Sequence, residues 1–211
     1  RACAHALFPC VARSWQREAI ATRQVIVRTL GVVAQRGNEE VVKTLLACVE
    51  KDNCFEVRQP AMALLAQLAS PEDERVMALA LEHLRKKDLR GQPLFKPLGD
   101  PMALTKEALQ VLANVAPRGS EEVWSLLLRR VVDDSVIAVR IAAVEALASI
   151  ADGDMLADGG ARSTVQTIAL AMLDDQHLDS HRLHSAAEAT FKALMRPSGP
   201  DGEAAGGVYW G

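Results

Sequence analysis

The sequence predicts an all-α chain made of repeated helical hairpins, and three observations lead there. The first is an internal repeat. Val139-Arg140-Ile141-Ala142-Ala143-Val144-Glu145-Ala146-Leu147-Ala148-Ser149-Ile150-Ala151 has a counterpart 82 residues earlier, Val57-Arg58-Gln59-Pro60-Ala61-Met62-Ala63-Leu64-Leu65-Ala66-Gln67-Leu68-Ala69. The shared skeleton, V-R-x-x-A-x-x-x-L-x-x-(L/I)-A, places apolar residues at i, i+4, i+8 and i+11, one face of a helix. The second is a repeated turn. Arg36-Gly37-Asn38-Glu39-Glu40-Val41-Val42 recurs 82 residues later as Arg118-Gly119-Ser120-Glu121-Glu122-Val123-Trp124. Glycine suits a left-handed position after a helix, Asn38 suits an N-cap, and the acidic pair suits the first turn of the next helix. The third is composition: 49% of residues are hydrophobic but only 4% aromatic. A core of Leu, Val and Ala suits close-packed helices better than a β-sandwich.

Taken in order, the chain opens with residues 1–21, whose start (Ala2-Cys3-Ala4-His5-Ala6-Leu7-Phe8) is apolar and lacks a cap. An end of a repeat array presents a polar outer face, so this edge is expected to be covered by further repeats or by a partner. Inner helices are expected near 20–34, 55–69, 101–116, 136–151 and 180–195. Outer helices are expected near 38–51, 71–87, 120–132 and 163–174, the second starting at Ser70-Pro71-Glu72-Asp73 with a serine cap and proline in the first helical position. The central apolar residue of the inner helices runs Leu30, Leu65, Leu112, Leu147, Phe191, in steps of 35, 47, 35 and 44 residues. The unit is therefore a hairpin of about 35 residues, twice lengthened. The insertion at 88–100 carries Leu89, Leu94, Phe95 and Leu98 among prolines and glycines, which predicts an ordered binding excursion. The one from Asp152 to Arg162 is rich in Gly and Asp and predicts a plain loop. Residues 1–195 form the array; 196–211 form a Gly/Pro-rich tail ending in Val208-Tyr209-Trp210-Gly211, where Tyr209 and Trp210 are the expected anchor.

Laid out this way, residues 20–195 resemble the HEAT-repeat proteins, specifically the short HEAT-like repeats named after bilin lyases. The resemblance rests on the inner-helix skeleton and on an aspartate six residues before the arginine: Asp52 and Arg58, Asp134 and Arg140. It implies a right-handed α-solenoid of four to five hairpins, with these residues in a ladder of hydrogen bonds between neighbouring repeats. Thr105 and His184 stand where the third and fifth inner helices should carry the arginine. The resemblance implies no particular activity, because fold does not fix function.

Helical rotation sorts the outward positions of the inner helices into rows. One row is Gln24, Gln59, Lys106, Ile141, Ser185; a second is Arg28, Ala63, Gln110, Glu145, Ala189; a third is Gly31, Ala66, Ala113, Ala148, Lys192. The small third row fits either close approach of a partner or packing between inner helices. The polar rows, with Gln59, Lys106, Gln110 and Glu145, are the better binding candidates because no structural need for glutamine is evident there. The outer helices carry the charge, Arg129 and Arg130 included.

Reactive constellations are sparse. His177, His181 and His184, with Asp179 and Glu188, have spacings that a metal could use. His177 falls in the turn before the helix and a terminal repeat wants polar side chains, so no metal and no cofactor are expected. Cys3 and His5 lack a third group to orient the imidazole. The basic run Arg85-Lys86-Lys87 complements a helix C-terminus, and a net charge of -3 gives no footprint for nucleic acid. Cys3, Cys10, Cys48 and Cys54 include no C-x-x-C pair and match no common zinc spacing, and two lie on apolar helical stretches, which points to an intracellular reducing compartment. No apolar run reaches the roughly 18 residues of a membrane span. The expected role is a non-catalytic protein-interaction scaffold or a subunit of a larger assembly, binding through the inner face, the 88–100 insertion and the tail. The alternative, a bilin-lyase-like factor for chromophore attachment, rests on the resemblance alone.

Overall fold

A computed structural model describes residues 19–86 and 101–151, with Ile168, residues 185–188, Thr190 and Lys192. All regular structure among them is helical: α1 (Ile20–Val33), α2 (Glu39–Lys51), α3 (Phe55–Leu68), α4 (Glu74–Lys86), α5 (Pro101–Val115), α6 (Glu121–Asp133) and α7 (Ile137–Ile150). The insertion at 88–100, the outer helix near 163–174 and the tail at 196–211 lie outside the described residues.

The helices sit in two layers. In the inner layer α1 packs on α3, α3 on α5 and α5 on α7; in the outer layer α2, α4 and α6 pack on α3, α5 and α7. Leu30, Leu65, Leu112 and Leu147 are fully buried between the layers. The outer helices are amphipathic and bury one stripe each, Val41, Val42, Leu45, Cys48 and Val49 on α2, and Val123, Trp124, Leu127, Arg130 and Val131 on α6. Each fully buried Leu or Val contributes about 1.5–3 kcal/mol. Helical residues 185–188, 190 and 192 continue the inner layer, since Thr190 Oγ1 donates to the Val144 carbonyl of α7 at 3.0 Å.

Three equivalent turns stitch one hairpin to the next through the backbone. Each closes on itself, Asn38 N–H to Gln35 O, Asp73 N–H to Ser70 O, and Ser120 N–H to Pro117 O. In each the third residue has positive φ: Gly37 at 78°, Glu72 at 62° and Gly119 at 77°. The N–H of that residue donates to the last turn of the following inner helix: Gly37 to Leu68 O at 2.7 Å, Glu72 to Val115 O at 2.7 Å, Gly119 to Ile150 O at 3.0 Å. Carbonyls at a helix end have no partner inside the helix, so every turn satisfies one in its neighbour.

The middle turn corrects the expectation at 70–73. Pro71 does not open the helix; it sits in the turn, where its fixed φ is equally at home, and α4 starts at Glu74. The cap is Asp73, whose Oδ1 accepts from Arg75 N at 3.1 Å and Val76 N at 3.4 Å. Asn38 caps α2 by accepting from Val41 N at 3.2 Å, whereas Ser120, its equivalent on α6, makes no side-chain cap bond.

Candidate functional site

The junctions between hairpins carry the buried charge. Asp52 closes α2 and is 3% exposed; its Oδ1 accepts from Cys54 N at 2.8 Å, folding the chain into α3. Arg23 of α1 reaches it from the preceding hairpin, with Nη2 donating to Oδ1 at 3.0 Å and Nε 2.9 Å from Oδ2. Arg23 itself is 4% exposed. The arginine that reaches Asp52 is Arg23 of the neighbouring repeat, which stands 35 positions before Arg58 on the same repeat pattern. Arg58 Nε is buried and has no hydrogen-bond partner among the described residues.

Asp134 repeats this arrangement at the end of α6, with Oδ1 accepting from Val136 N at 3.0 Å. Here the guanidinium comes from the same helix: Arg130 Nη1 donates to Asp134 Oδ2 at 3.2 Å, and Nη2 donates to the Leu84 carbonyl near the end of α4. Arg140 Nε donates to Val131 O at 2.8 Å, holding the last turn of α6. Arg130, expected among the solvated charges, is only 6% exposed, while its neighbour Arg129 faces solvent beside Asp133.

Cys48 lies close enough to feel this site. Burial pushes its thiol up to about 12, the charge of Asp52 adds to the rise and that of Arg23 opposes it. Cys54 is also a free, buried thiol, raised by burial and by its bond to Glu56 Oε2 at 2.6 Å. Neither is an activated nucleophile.

On the inner face Lys106 and Gln110 of α5 and Glu145 of α7 are exposed, as is Arg28 of α1. Gln59 differs. It is half-buried and its amide bonds the carboxyl of Glu107 on the next inner helix, so the glutamine has a structural use after all. Burial raises the Glu107 carboxyl above its ordinary range, while the Gln59 bond and the charge of Lys106 pull the other way. Asn114 Nδ2 donates to Ala66 O at 3.1 Å and ties the same two helices. The row of small residues belongs to packing: a Cβ on Gly31 would stand 2.5 Å from Leu64 Cδ2, and Ala66 is buried.

Across the outer face, Arg75 of α4 donates to Glu39 of α2 at 2.7 Å and to Asp73 at 2.9 Å, and Arg85 pairs with Glu122 of α6. Arg75 pulls the Glu39 carboxyl below its usual range. Leu94, Phe95, Tyr209, Trp210, the His177, His181 and His184 group, and Cys3 with His5 lie outside the described residues. Glu188, proposed beside those histidines, is held by Lys192 at 2.6 Å. Among the described residues there is no cluster of three or more His, Cys, Asp or Glu that could hold a metal, and no helix is long and apolar enough to cross a membrane.

Sequence reasoning sets Thr22-Arg23 on the repeat pattern without assigning Arg23 to Asp52, and it misses the roles of Arg130 and Glu107. The 35-residue register contained the signal for Arg23; nothing local marked the other two. Comparison with protein-family models, curated proteins and solved structures finds no match to this chain.

Proposed function

We propose that the chain is a right-handed α-solenoid of HEAT-like hairpins and works as a non-catalytic scaffold or assembly subunit that holds a protein partner along its inner-helix face. One observation carries this reading. Lys106, Gln110 and Glu145, on adjacent inner helices, expose polar groups of both charges and an amide. An extended layer of parallel helices with such a stripe suits a peptide or helix laid across it. The free thiols of Cys48 and Cys54 fit a reducing compartment.

Amine-reactive cross-linking of the full chain in a lysate of its source, followed by mass spectrometry, tests this. Lys106 on the inner face should capture one recurrent partner, and Lys43 and Lys51 on the outer layer should not. Cross-links spread evenly over these lysines, or confined to the outer pair, would overturn the assignment of the face.

A further inference from the structure

α1 carries apolar residues where the other inner helices are polar. On the repeat register Val32 stands where α3, α5 and α7 have Gln67, Asn114 and Ser149, and those three polar residues are exposed. With Thr22, Val25 and Thr29, Val32 forms a seam at i, i+3, i+7 and i+10, the a/d spacing of a helix that packs lengthwise on another helix. All four residues are β-branched, and Thr22, Val25 and Val32 face solvent, Val25 at 60% and Val32 at 86%. Thr29 spends its hydroxyl on its own helix, donating to the Val25 carbonyl at 2.8 Å, so covering it strands no donor. Single exposed apolar residues are ordinary on a protein surface, but a contiguous stripe of them marks a contact.

We infer that this seam on α1 is a docking face for an amphipathic helix of another protein, one whose own apolar seam is flanked by carboxylates. Its charge selects that occupant. Arg28 borders the seam, three residues after Val25 and four before Val32, and it is exposed with no ion pair among the described residues. Flanking charges of this kind decide which helix is accepted and in which direction. A second copy of α1 has nothing to offer Arg28, because the helix contains no acidic residue. A further hairpin of the same repeat fits no better. Packing between hairpins leaves Gln67, Asn114 and Ser149 in water, so it would leave Val32 there too. Ile26 also stands where Ala61, Ala108 and Ala143 are fully buried, and it is too large for that close packing. The seam lies on a different helix from Lys106, Gln110 and Glu145, so it stands or falls separately from the inner-face reading.

Two labelled helical peptides test this, with the same a/d seam of leucine and valine but flanked by glutamate in one and by lysine in the other. Each is titrated against the full chain by fluorescence anisotropy at low salt. The glutamate peptide should bind roughly threefold tighter or better, and Arg28→Glu should reverse the order of the two. Val32→Lys should weaken the glutamate peptide by roughly tenfold or more and leave the melting temperature unchanged, since that side chain already stands in water. Val25→Lys, on the same seam, repeats the measurement should Val32→Lys not fold. No binding, equal binding of both peptides, or binding indifferent to Val32→Lys and Val25→Lys would overturn the proposal. So would a melting temperature several degrees lower in both lysine variants, which would mean that the chain's own residues already cover the seam. Sedimentation of the unmutated chain closes the remaining route: a dimer that Val32→Lys dissociates would give the face to a second copy instead.

Discussion

Asp52 joins two helices and two hairpins through one buried carboxylate. It is almost fully buried, ends one helix, starts the next and neutralises Arg23 from the hairpin before. Asp52→Ala should cost about 3–5 kcal/mol, because Arg23 is left buried and uncompensated. Glu39→Ala, which removes an exposed partner of Arg75, should leave the melting temperature within error of wild type. Thermal denaturation of the two variants side by side checks both. The positive-φ turn residues allow a second comparison. Gly37→Ala and Gly119→Ala should each cost about 1–2 kcal/mol, the penalty for an L-residue in the left-handed region. Glu72 already bears that penalty. Glu72→Gly should therefore be neutral or stabilise by up to about 1 kcal/mol, relief of strain being partly offset by a freer unfolded chain.

Helix ends and helix contacts decide the next level. Asn38→Ala should destabilise by about 1 kcal/mol through loss of the cap bond to Val41 N. Ser120→Ala at the equivalent place should cost less, since no cap bond is lost there. Between α3 and α5 the raised Glu107 carboxyl sets a pH dependence. Its folded pKa lies above that of an ordinary glutamate, so the folded state holds the proton more tightly than the unfolded one. That contribution favours folding at low pH and is lost as pH rises from the ordinary carboxylate range through the raised folded value. Glu107→Gln should flatten this part of the stability–pH curve and raise stability at neutral pH, measured by urea denaturation across that range. These elements were unevenly legible. Arg-Gly-Asn-Glu-Glu and Arg-Gly-Ser-Glu-Glu announced two turns because glycine is the residue that φ demands there. The third turn was read as a helix start, since Pro71 fits either place and Glu72 gives no sign of its left-handed backbone. On the sequence Arg130 is one more charge of an outer helix; only packing against α4 reveals that it is inside.

Among the described helices the main contacts run between neighbours, so stability should fall off toward α1, the outermost of them. Ile20, Val25, Val32 and Val33 of α1 are exposed, Val32 at 86%, whereas α3 and α5 are flanked by inner helices on both sides. Amides of Leu65 and Leu112 should exchange slowest and those of α1 markedly faster among the described helices, the ordering expected of a one-dimensional stack. A uniform exchange rate from α1 to α7 would mean a single cooperative unit instead. The layered arrangement follows from the spacing of Leu30, Leu65, Leu112 and Leu147, which the sequence displays openly. The inner-face candidates were less legible: Gln59 looked free because its partner, Glu107, lies 48 residues away on another helix.

The three turn-to-helix bonds, from Gly37, Glu72 and Gly119, use main-chain atoms only. They take no part in side-chain identity, so a junction formed this way survives drift of the residues around it. The bond from Glu72 to Val115 spans the 88–100 insertion and keeps the geometry of the bond from Gly37 to Leu68, which spans none. Hairpins joined through such generic connectors can be copied, dropped or shuffled as whole modules, and each new neighbour still finds a donor waiting for its last carbonyl.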